Sequence, residues 1–139
     1  MKKMVFALIL MTLVSSSCKK AVDNIKEDLM VNLITSNTWV VVRYMEGAQN
    51  ITPTFSTYEF KFYKSGNVDA IENGITKASG TWQGSEATQS ITSNFPTTGD
   101  PINKLNGVWK VTNTKSNPWR VFSQRNEGAT QLNLDLQAK

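Results

Sequence analysis

Hydrophobic and polar residues alternate with a period of two along most of the chain after residue 38. Leu132, Leu134 and Leu136, for example, alternate with polar residues, which is typical of a β-strand with one buried face. Seven earlier segments share this alternation or are rich in β-branched and aromatic residues. The eight predicted strands cover residues 39–44, 58–63, 68–71, 75–82, 91–95, 109–112, 119–123 and 132–137.

Tight turns separate most of these strands, which favours antiparallel pairing of neighbours. Asn73-Gly74 is the strongest turn signal, because both residues tolerate the positive φ of a two-residue hairpin. Asn117-Pro118 and Glu127-Gly128 indicate further turns. We therefore predict an all-β fold, an eight-stranded antiparallel up-and-down barrel, since closure removes the exposed edges of the sheet. A two-layer β-sandwich is the alternative.

The expected core consists of the side chains at the apolar positions of the alternating strands. It is built around the four tryptophans, Trp39, Trp82, Trp109 and Trp119. We expect six side chains to point into one common interior, because a register slip of one residue would turn all of them to water. These are Trp39, Phe60, Phe62, Trp82, Trp109 and Leu134.

Before the first strand, the apolar residues follow a helical spacing. They are Val22, Ile25, Leu29, Met30, Leu33 and Ile34. Asp23 is suited to cap the start of this short helix, and the polar residues 35–37 predict its end. Packing against the strands is the first interpretation. A helix lying on a membrane is the second, and the mixed charge of the polar face, with Lys26 and Glu27, argues against it.

The first 18 residues have the order of an export signal. Lys2 and Lys3 precede an apolar run over residues 4–14, three serines follow, and then comes Cys18. The run is shorter than the roughly 20 residues of a membrane span and suits a secretory signal. The order resembles the lipobox of bacterial lipoproteins, in which the signal is removed and the cysteine receives acyl chains such as palmitate.

This resemblance divides the chain into three parts. Residues 1–17 are the expected signal peptide, residues 18–22 a lipid-anchored tether, and residues 23–139 a single domain. Lipidation is expected at Cys18. A secreted protein with a free thiol is the alternative, although an exposed lone cysteine is a liability outside the cell.

Charge and composition narrow the possible functions. The chain has 15 Lys and Arg against 11 Asp and Glu, and loss of Lys2 and Lys3 leaves 13 against 11, a net charge of +2. No clustered basic face typical of a nucleic-acid binder is visible, so no nucleic-acid partner is expected. Lys19 and Lys20, beside the lipid, are equally suited to contact anionic headgroups or to remain solvated.

The sequence contains few residues suited to catalysis or metal binding. The sequence has no His and one Cys, so a Ser–His or Cys–His nucleophilic pair is excluded, and a common zinc site lacks its ligands. A glycosidase needs two carboxyl groups that face the same substrate bond. Glu59 with Asp69 or Glu72 would supply such a pair, but the alternation predicts that these side chains point outward. We therefore expect no enzyme activity, no metal and no cofactor.

Several short motifs together are similar to a known family, the small lipocalin-like lipoproteins of Gram-negative bacteria. They are the lipobox cysteine, the short helix, Asn37-Thr38-Trp39 at the first strand, the turn and strand over residues 64–68, Gly80-Thr81-Trp82, and Asn-Gly-Val-Trp over residues 106–109. The resemblance covers nearly the whole mature chain. It implies a β-barrel and a place in the cell envelope, at the outer membrane, and it implies no catalytic residues.

Four residues are candidates for ligand binding. Arg43 lies on the same face of the first predicted strand as Trp39. If that face points inward, Arg43 would lie at the barrel mouth, near water or an anionic ligand. The alternative is that Arg43 lies at the end of the strand and is only solvated. Tyr44, Tyr63 and Phe122 fall on the opposite strand faces. They would form an aromatic platform for a sugar or a protein, although scattered exposed aromatics are also ordinary.

Two functions follow from these features. The first is a membrane-anchored binding module for a small apolar ligand or an envelope protein. The second is a structural or interaction lipoprotein with a packed interior and no ligand. The volume inside the barrel distinguishes them, and the many aromatic residues favour a filled core.

Overall fold

The structure, a computed structural model, describes residues 29–96 and 98–139. Residues 29–36 are helical (α1), and nine strands follow in this part of the chain. They are β1 (Thr38–Glu46), β2 (Gln49–Asn50), β3 (Tyr58–Phe62), β4 (Asn67–Glu72), β5 (Ile75–Ser85), β6 (Ser90–Asn94), β7 (Gly107–Lys115), β8 (Arg120–Glu127) and β9 (Thr130–Ala138). Two 3-10 helices, Thr52–Phe55 and Ile102–Leu105, lie in the connections.

Antiparallel pairing closes the sheet into a barrel. Consecutive strands from β3 to β9 are neighbours, β1 pairs with β3, and β1 also pairs with β9 from Trp39–Ala138 to Glu46–Leu132. The two-residue β2 only extends the end of β1. The predicted eight-stranded up-and-down barrel is therefore confirmed, and the β-sandwich alternative is wrong.

The hairpin between β4 and β5 forms where the sequence predicts it. Glu72 pairs with Ile75, so Asn73 and Gly74 alone make the turn. Their φ angles of 51° and 79° are both in the region that Asn and Gly tolerate best. The two-residue hairpin is confirmed.

The expected core is confirmed except at one tryptophan. All six side chains predicted to share the interior are buried, none more than 7% exposed, and they belong to one hydrophobic cluster. Trp119, however, is 40% exposed. The reason is that the β7–β8 hairpin extends beyond the barrel body, and all residues from 112 to 119 are exposed.

A bulge in β1 reverses the expected orientation of two side chains. The pairing of β1 with β9 shifts between Val41 and Arg43, and such a shift inverts the strand parity beyond it. Trp39 and Val41 point inward, but the next buried side chain is Tyr44, while Arg43 is exposed. The expectations that Arg43 shares the inner face and that Tyr44 points outward are therefore wrong.

The end of α1 is fixed to one end of the barrel. Ile34 is buried in the core cluster, and its carbonyl accepts a hydrogen bond from Trp39 Nε1 at 2.8 Å. Lys61 Nζ donates to the carbonyls of Thr35 and Asn37 at 3.0 and 3.2 Å, which satisfies acceptors that a helix C-terminus leaves free. Packing against the strands is thus correct for this part of the helix.

Several sequence predictions lie outside the described residues. They are the signal peptide, lipidation at Cys18, the tether and the capping role of Asp23. Within the described part of the chain, no helix has both the length and the apolar character needed to cross a membrane.

Candidate functional site

The barrel interior is the first candidate for a binding site, and it is almost filled. Its cavity has a volume of about 30 Å³, room for very few water molecules, whereas ligand pockets typically measure roughly 300–1,000 Å³. The lining is mostly aromatic and aliphatic: Phe60, Phe62, Ile91, Ser93, Phe95, Leu105, Trp109, Val121, Ser123, Leu134 and Leu136. The aromatic side chains expected from the sequence therefore occupy the space a ligand would need.

The two hydroxyls in the cavity wall already have partners. Ser93 Oγ donates to the carbonyl of Leu105 at 2.5 Å, and Ser123 Oγ donates to the carbonyl of Leu134 at 2.8 Å. A polar group that recognises a ligand must be free to exchange hydrogen bonds with it, and here the bonds tie strands and loops together. The cavity consequently offers an apolar surface without polar groups aimed at a ligand.

One end of the barrel is closed over this cavity by Tyr44, Trp109 and Arg125. The Arg125 guanidinium lies 4.7 Å from the centre of the Trp109 ring, a cation–π geometry. Tyr44 Oη and Arg125 Nη2 both donate to the carbonyl of Lys104, at 2.8 and 3.2 Å. Trp109 Nε1 donates to the carbonyl of the next residue, Leu105, at 2.9 Å. These bonds hold the loop before β7 across the mouth of the barrel.

The electrostatics of this mouth follow from burial and from two ion pairs, Lys104 with Glu46 and Arg125 with Glu127. Burial raises the pKa of Tyr44, and the hydrogen bond and positive charge of Arg125 oppose that rise. The hydrogen bond from Lys104 Nζ to Glu46 Oε1, at 2.7 Å, raises the pKa of Lys104. Arg125 Nε is buried without a hydrogen-bond partner in the described structure. The charges at the mouth thus serve to fix the loop and the two aromatic rings.

Arg125 takes the position that the sequence suggests for Arg43, an arginine at the barrel mouth. Val121, Ser123 and Arg125 alternate along β8, and the first two are buried. The same alternation is present in the sequence, and it alone is enough to predict that Arg125 points inward. The β1 bulge, by contrast, has no clear sequence signal, so the corresponding argument for Arg43 fails.

Arg43 and Phe122 lie on the outer face, on either side of Asp135. The strand register pairs Asp135 with Arg43 on β1 and with Phe122 on β8. Asp135 Oδ2 lies 3.8 Å from Arg43 Nη1, and the Asp135 side chain is only 9% exposed, against 53% for Arg43. Burial raises the pKa of Asp135, while the charges of Arg43 and Arg120 oppose the rise. Sequence reasoning missed Asp135, because an acid on the polar parity of a strand indicates exposure.

Tyr63 and Tyr44 do not join Phe122 in one platform. Tyr63 follows β3, and its hydroxyl donates to Asp69 Oδ2 at 3.0 Å; this hydrogen bond raises the pKa of Tyr63. Tyr44 is fully buried, stacked on Phe55 with ring centres 5.4 Å apart. The three aromatic side chains therefore lie in separate environments, and the structure does not bring them together as a single binding surface.

A second concavity lies at the opposite end of the barrel, between α1 and the β7–β8 hairpin. This open groove has a volume of about 620 Å³. It is lined by Leu29, Met30, Leu33, Glu86, Gln89, Val111, Thr112, Asn113, Thr114 and Trp119. Sequence reasoning missed it because Trp119 has the strand parity of a core residue, and only the length of the hairpin shows that it projects from the body.

Comparison with known proteins adds evidence on the fold. No protein-family model matches the sequence, and no curated protein matches it. Among solved structures, the chain is similar to a DUF4847 family protein from Bacteroides vulgatus, with a TM-score of 0.51 and 14% sequence identity. The match covers 76% of this chain and 95% of that chain. At this identity the similarity shows a shared barrel fold.

Proposed function

We propose that this protein is a non-catalytic, lipid-anchored barrel of the bacterial cell envelope, at the outer membrane, that acts through contacts on its outer surface. The observation that carries the proposal is the filled interior. A cavity of about 30 Å³ under a mouth closed by Tyr44, Trp109 and Arg125 leaves no volume for an enclosed ligand. Of the two functions that follow from the sequence, the interaction lipoprotein with a packed interior is therefore favoured.

The sequence before the barrel supports the anchoring part of the proposal. Lys2 and Lys3, the apolar run and the serines before Cys18 have the order of a lipoprotein signal, and acyl chains on that cysteine would hold the protein to a membrane. The similarity to small lipocalin-like lipoproteins agrees with this location. The expected partner is then an envelope component that meets the outside of the barrel.

The placement of the acidic residues supports a non-catalytic role. Glu46 pairs with Lys104, Glu59 with Lys139, and Glu72 with Lys77. Asp135 lies on the outer face beside Arg43. General acid–base catalysis needs such groups to converge on a substrate site, whereas these are held in separate pairs around the barrel.

Anchoring is tested by replacing the cysteine. Cys18→Ala should move the protein from the membrane fraction to the soluble fraction, because the acyl chains have no other attachment site in the lipobox. Cell fractionation measures this shift, and the intact mass of the wild-type protein should show the added acyl groups. A wild-type mass corresponding to a free thiol would contradict the proposal.

Ligand binding inside the barrel is tested with a fluorescent fatty acid as the probe. We expect no binding that depends on the interior cavity. Ser123→Leu would fill the cavity, and Trp119→Ser would alter the outer groove without reaching the interior. Binding that Ser123→Leu abolishes while the variant keeps its β-sheet circular dichroism, and that Trp119→Ser leaves intact, would contradict a packed, ligand-free barrel.

A further inference from the structure

The groove between α1 and the β7–β8 hairpin has apolar walls on both sides. Leu29, Met30 and Leu33 form the helical wall, and Val111 and Trp119 lie opposite. Leu29 is 64% exposed and Trp119 is 40% exposed. Exposed apolar side chains that share one groove are the pattern expected of a contact surface, unlike single exposed residues scattered over the protein.

The hairpin beside the groove projects from the barrel. Residues 112–119 are exposed without interruption, although β7 and β8 remain paired out to Lys115 and Arg120. The backbone amide of Ala138 donates to the carbonyl of Trp119, and that of Lys139 donates to the carbonyl of Thr38. These bonds place Trp119 at the end of the barrel where β1 begins, directly after α1. We call this end the α1 end.

Leu29, the first residue that the structure describes, lies at this same end. Leu29, in the wall of the groove, comes eleven residues after Cys18. A segment of that length spans at most about 40 Å, even when fully extended. An anchor on Cys18 would therefore keep the α1 end within reach of the bilayer. Because strands of nine residues are only about 30 Å long, contacts at that end must fix which way the barrel faces.

Glu86 lines one side of the groove, but the exposed lysines near the α1 end suit a phospholipid surface. Lys64 and Lys115 lie at the two turns that flank this end, are exposed, and form no ion pair with a described residue. Lys19 and Lys20 directly follow the cysteine. Lysines at a membrane surface are attracted to anionic headgroups, and tryptophan prefers the level of the headgroups, where its ring is buried and its N–H stays hydrated.

We propose that the α1 end lies on the bilayer, with Leu29 and Trp119 among the phospholipid headgroups and lipid occupying the groove. This inference rests on the proposed lipid anchoring and adds an orientation to it. The barrel then presents its opposite end, with the mouth closed by Tyr44, Trp109 and Arg125, to the aqueous compartment. The groove is thus a second contact that supplements the acyl chains.

Tryptophan fluorescence tests this orientation. The full lipidated protein is placed in vesicles of phosphatidylethanolamine and phosphatidylglycerol, with and without bromine on the acyl chains near the headgroups. Bromine quenches only nearby indoles, and Trp39, Trp82 and Trp109 are buried. We expect brominated lipid to lower the emission of the wild type, and Trp119→Phe to remove most of this loss. Trp39 and Trp82 donate to the carbonyls of Ile34 and Tyr63, so they also lie toward the α1 end but deeper in the protein than Trp119.

A matched variant moves the exposed tryptophan to the other end. Ile75 is 61% exposed and lies beside the Asn73-Gly74 turn, at the end of the barrel away from α1. The double variant Ile75→Trp with Trp119→Phe therefore carries its exposed tryptophan at that end, while the tether and the lipid stay the same. We expect this double variant to be quenched no more than Trp119→Phe alone. Absence of quenching at Trp119, or equal quenching at both positions, would overturn the proposed orientation.

The mass of the protein in the same vesicles separates the two proposals. If Cys18 carries acyl groups and Trp119 is not quenched, the orientation is wrong while the anchoring stands. If Cys18 is unmodified, the anchoring is wrong and the orientation derived from it is lost as well. Acylation together with quenching that Trp119→Phe largely removes supports both.

Discussion

Asp135 shows how a single side chain departs from its strand pattern. It lies on the polar parity of β9, between buried Leu134 and Leu136, and yet is itself buried on the outer face. Arg43 and Phe122 pair with it on either side. A buried carboxylate is unfavourable unless it is paired, and its nearest positive charge, on Arg43, lies 3.8 Å away. Arg43 and Arg120 therefore relieve only part of the cost of ionising this side chain.

The pH dependence of stability should reveal that cost. Burial raises the native pKa of Asp135 above 3.8, so the native state binds the proton more tightly than the unfolded state does. Its contribution to stability is then most favourable below pH 3.8 and falls as pH rises through the native pKa. The free energy of unfolding of Asp135→Asn, relative to wild type, should therefore increase with pH across this window.

Urea unfolding at a series of pH values measures this difference. Asp100→Asn, in an exposed turn, is the control for loss of one carboxylate. A difference between Asp135→Asn and wild type that does not change with pH would show that the buried carboxyl titrates alike in the folded and unfolded states.

Trp109 connects the core to the closed mouth. Its ring lines the cavity, lies against the guanidinium of Arg125, and its Nε1 holds the carbonyl of Leu105. Trp109→Ala should lower the free energy of unfolding by about 3–5 kcal/mol. Lys110→Ala, at the exposed neighbouring position, should change it by less than about 0.5 kcal/mol. Chemical denaturation of both variants checks the contrast, and similar stabilities would argue against the core assignment.

At the scale of elements, bulges and turns set the shape of the barrel. Pairing shifts occur between Val41 and Arg43 in β1, between Ala70 and Ile71 in β4, and between Val111 and Asn113 in β7. Bulges bend strands and increase their twist, which closure of a small barrel requires. The first of these decides which side chain of β1 closes the mouth, because it turns Tyr44 inward.

The β4–β5 turn allows a clean test of backbone conformation. Gly74 has a φ of +79°, and a Cβ there would meet no atom within 4 Å. Gly74→Val should therefore cost about 1–2 kcal/mol through the backbone alone, since a β-branched residue strongly disfavours positive φ. Gly99→Val is the matched control, because Gly99 also has open space but no positive φ. Equal thermal stability of the two variants would place the constraint elsewhere.

At the scale of the whole molecule, closure gives β1 and β9 neighbours on both sides. β9 pairs with β8 along its length and with β1 from Trp39 to Glu46. In an open sheet these two strands would be edges with exposed amides. The pairing between the beginning and the end of the domain therefore makes the barrel one cooperative unit.

Hydrogen exchange should show that cooperativity. Paired amides of β1 and β9 should exchange as slowly as those of β5 and β6, because each requires opening of the closed sheet rather than fraying of an edge. Amide exchange followed by NMR measures this for individual residues. Markedly faster exchange along β9 than along β6 would indicate that the barrel opens at the β1–β9 seam.

Local features of the sequence determined much of this fold. The period-two alternation gave the eight strands, and the Asn73-Gly74 dipeptide gave its hairpin, because both depend on residues near one another in the chain. The six inward side chains of the core follow from the same alternation. The end of α1 also follows from its polar residues. The order of strands around the barrel then results from short connections between antiparallel neighbours.

The tertiary structure alone decided which side chains meet. The pairing of β1 with β9 across almost the whole domain introduces the bulge that turns Tyr44 inward and Arg43 outward, and it covers Asp135. The reach of the β7–β8 hairpin beyond the barrel exposes Trp119 and creates the groove with α1. The volume of the interior depends on how the aromatic rings from different strands fill it. These are properties of long-range register and packing, which no local pattern of residues encodes.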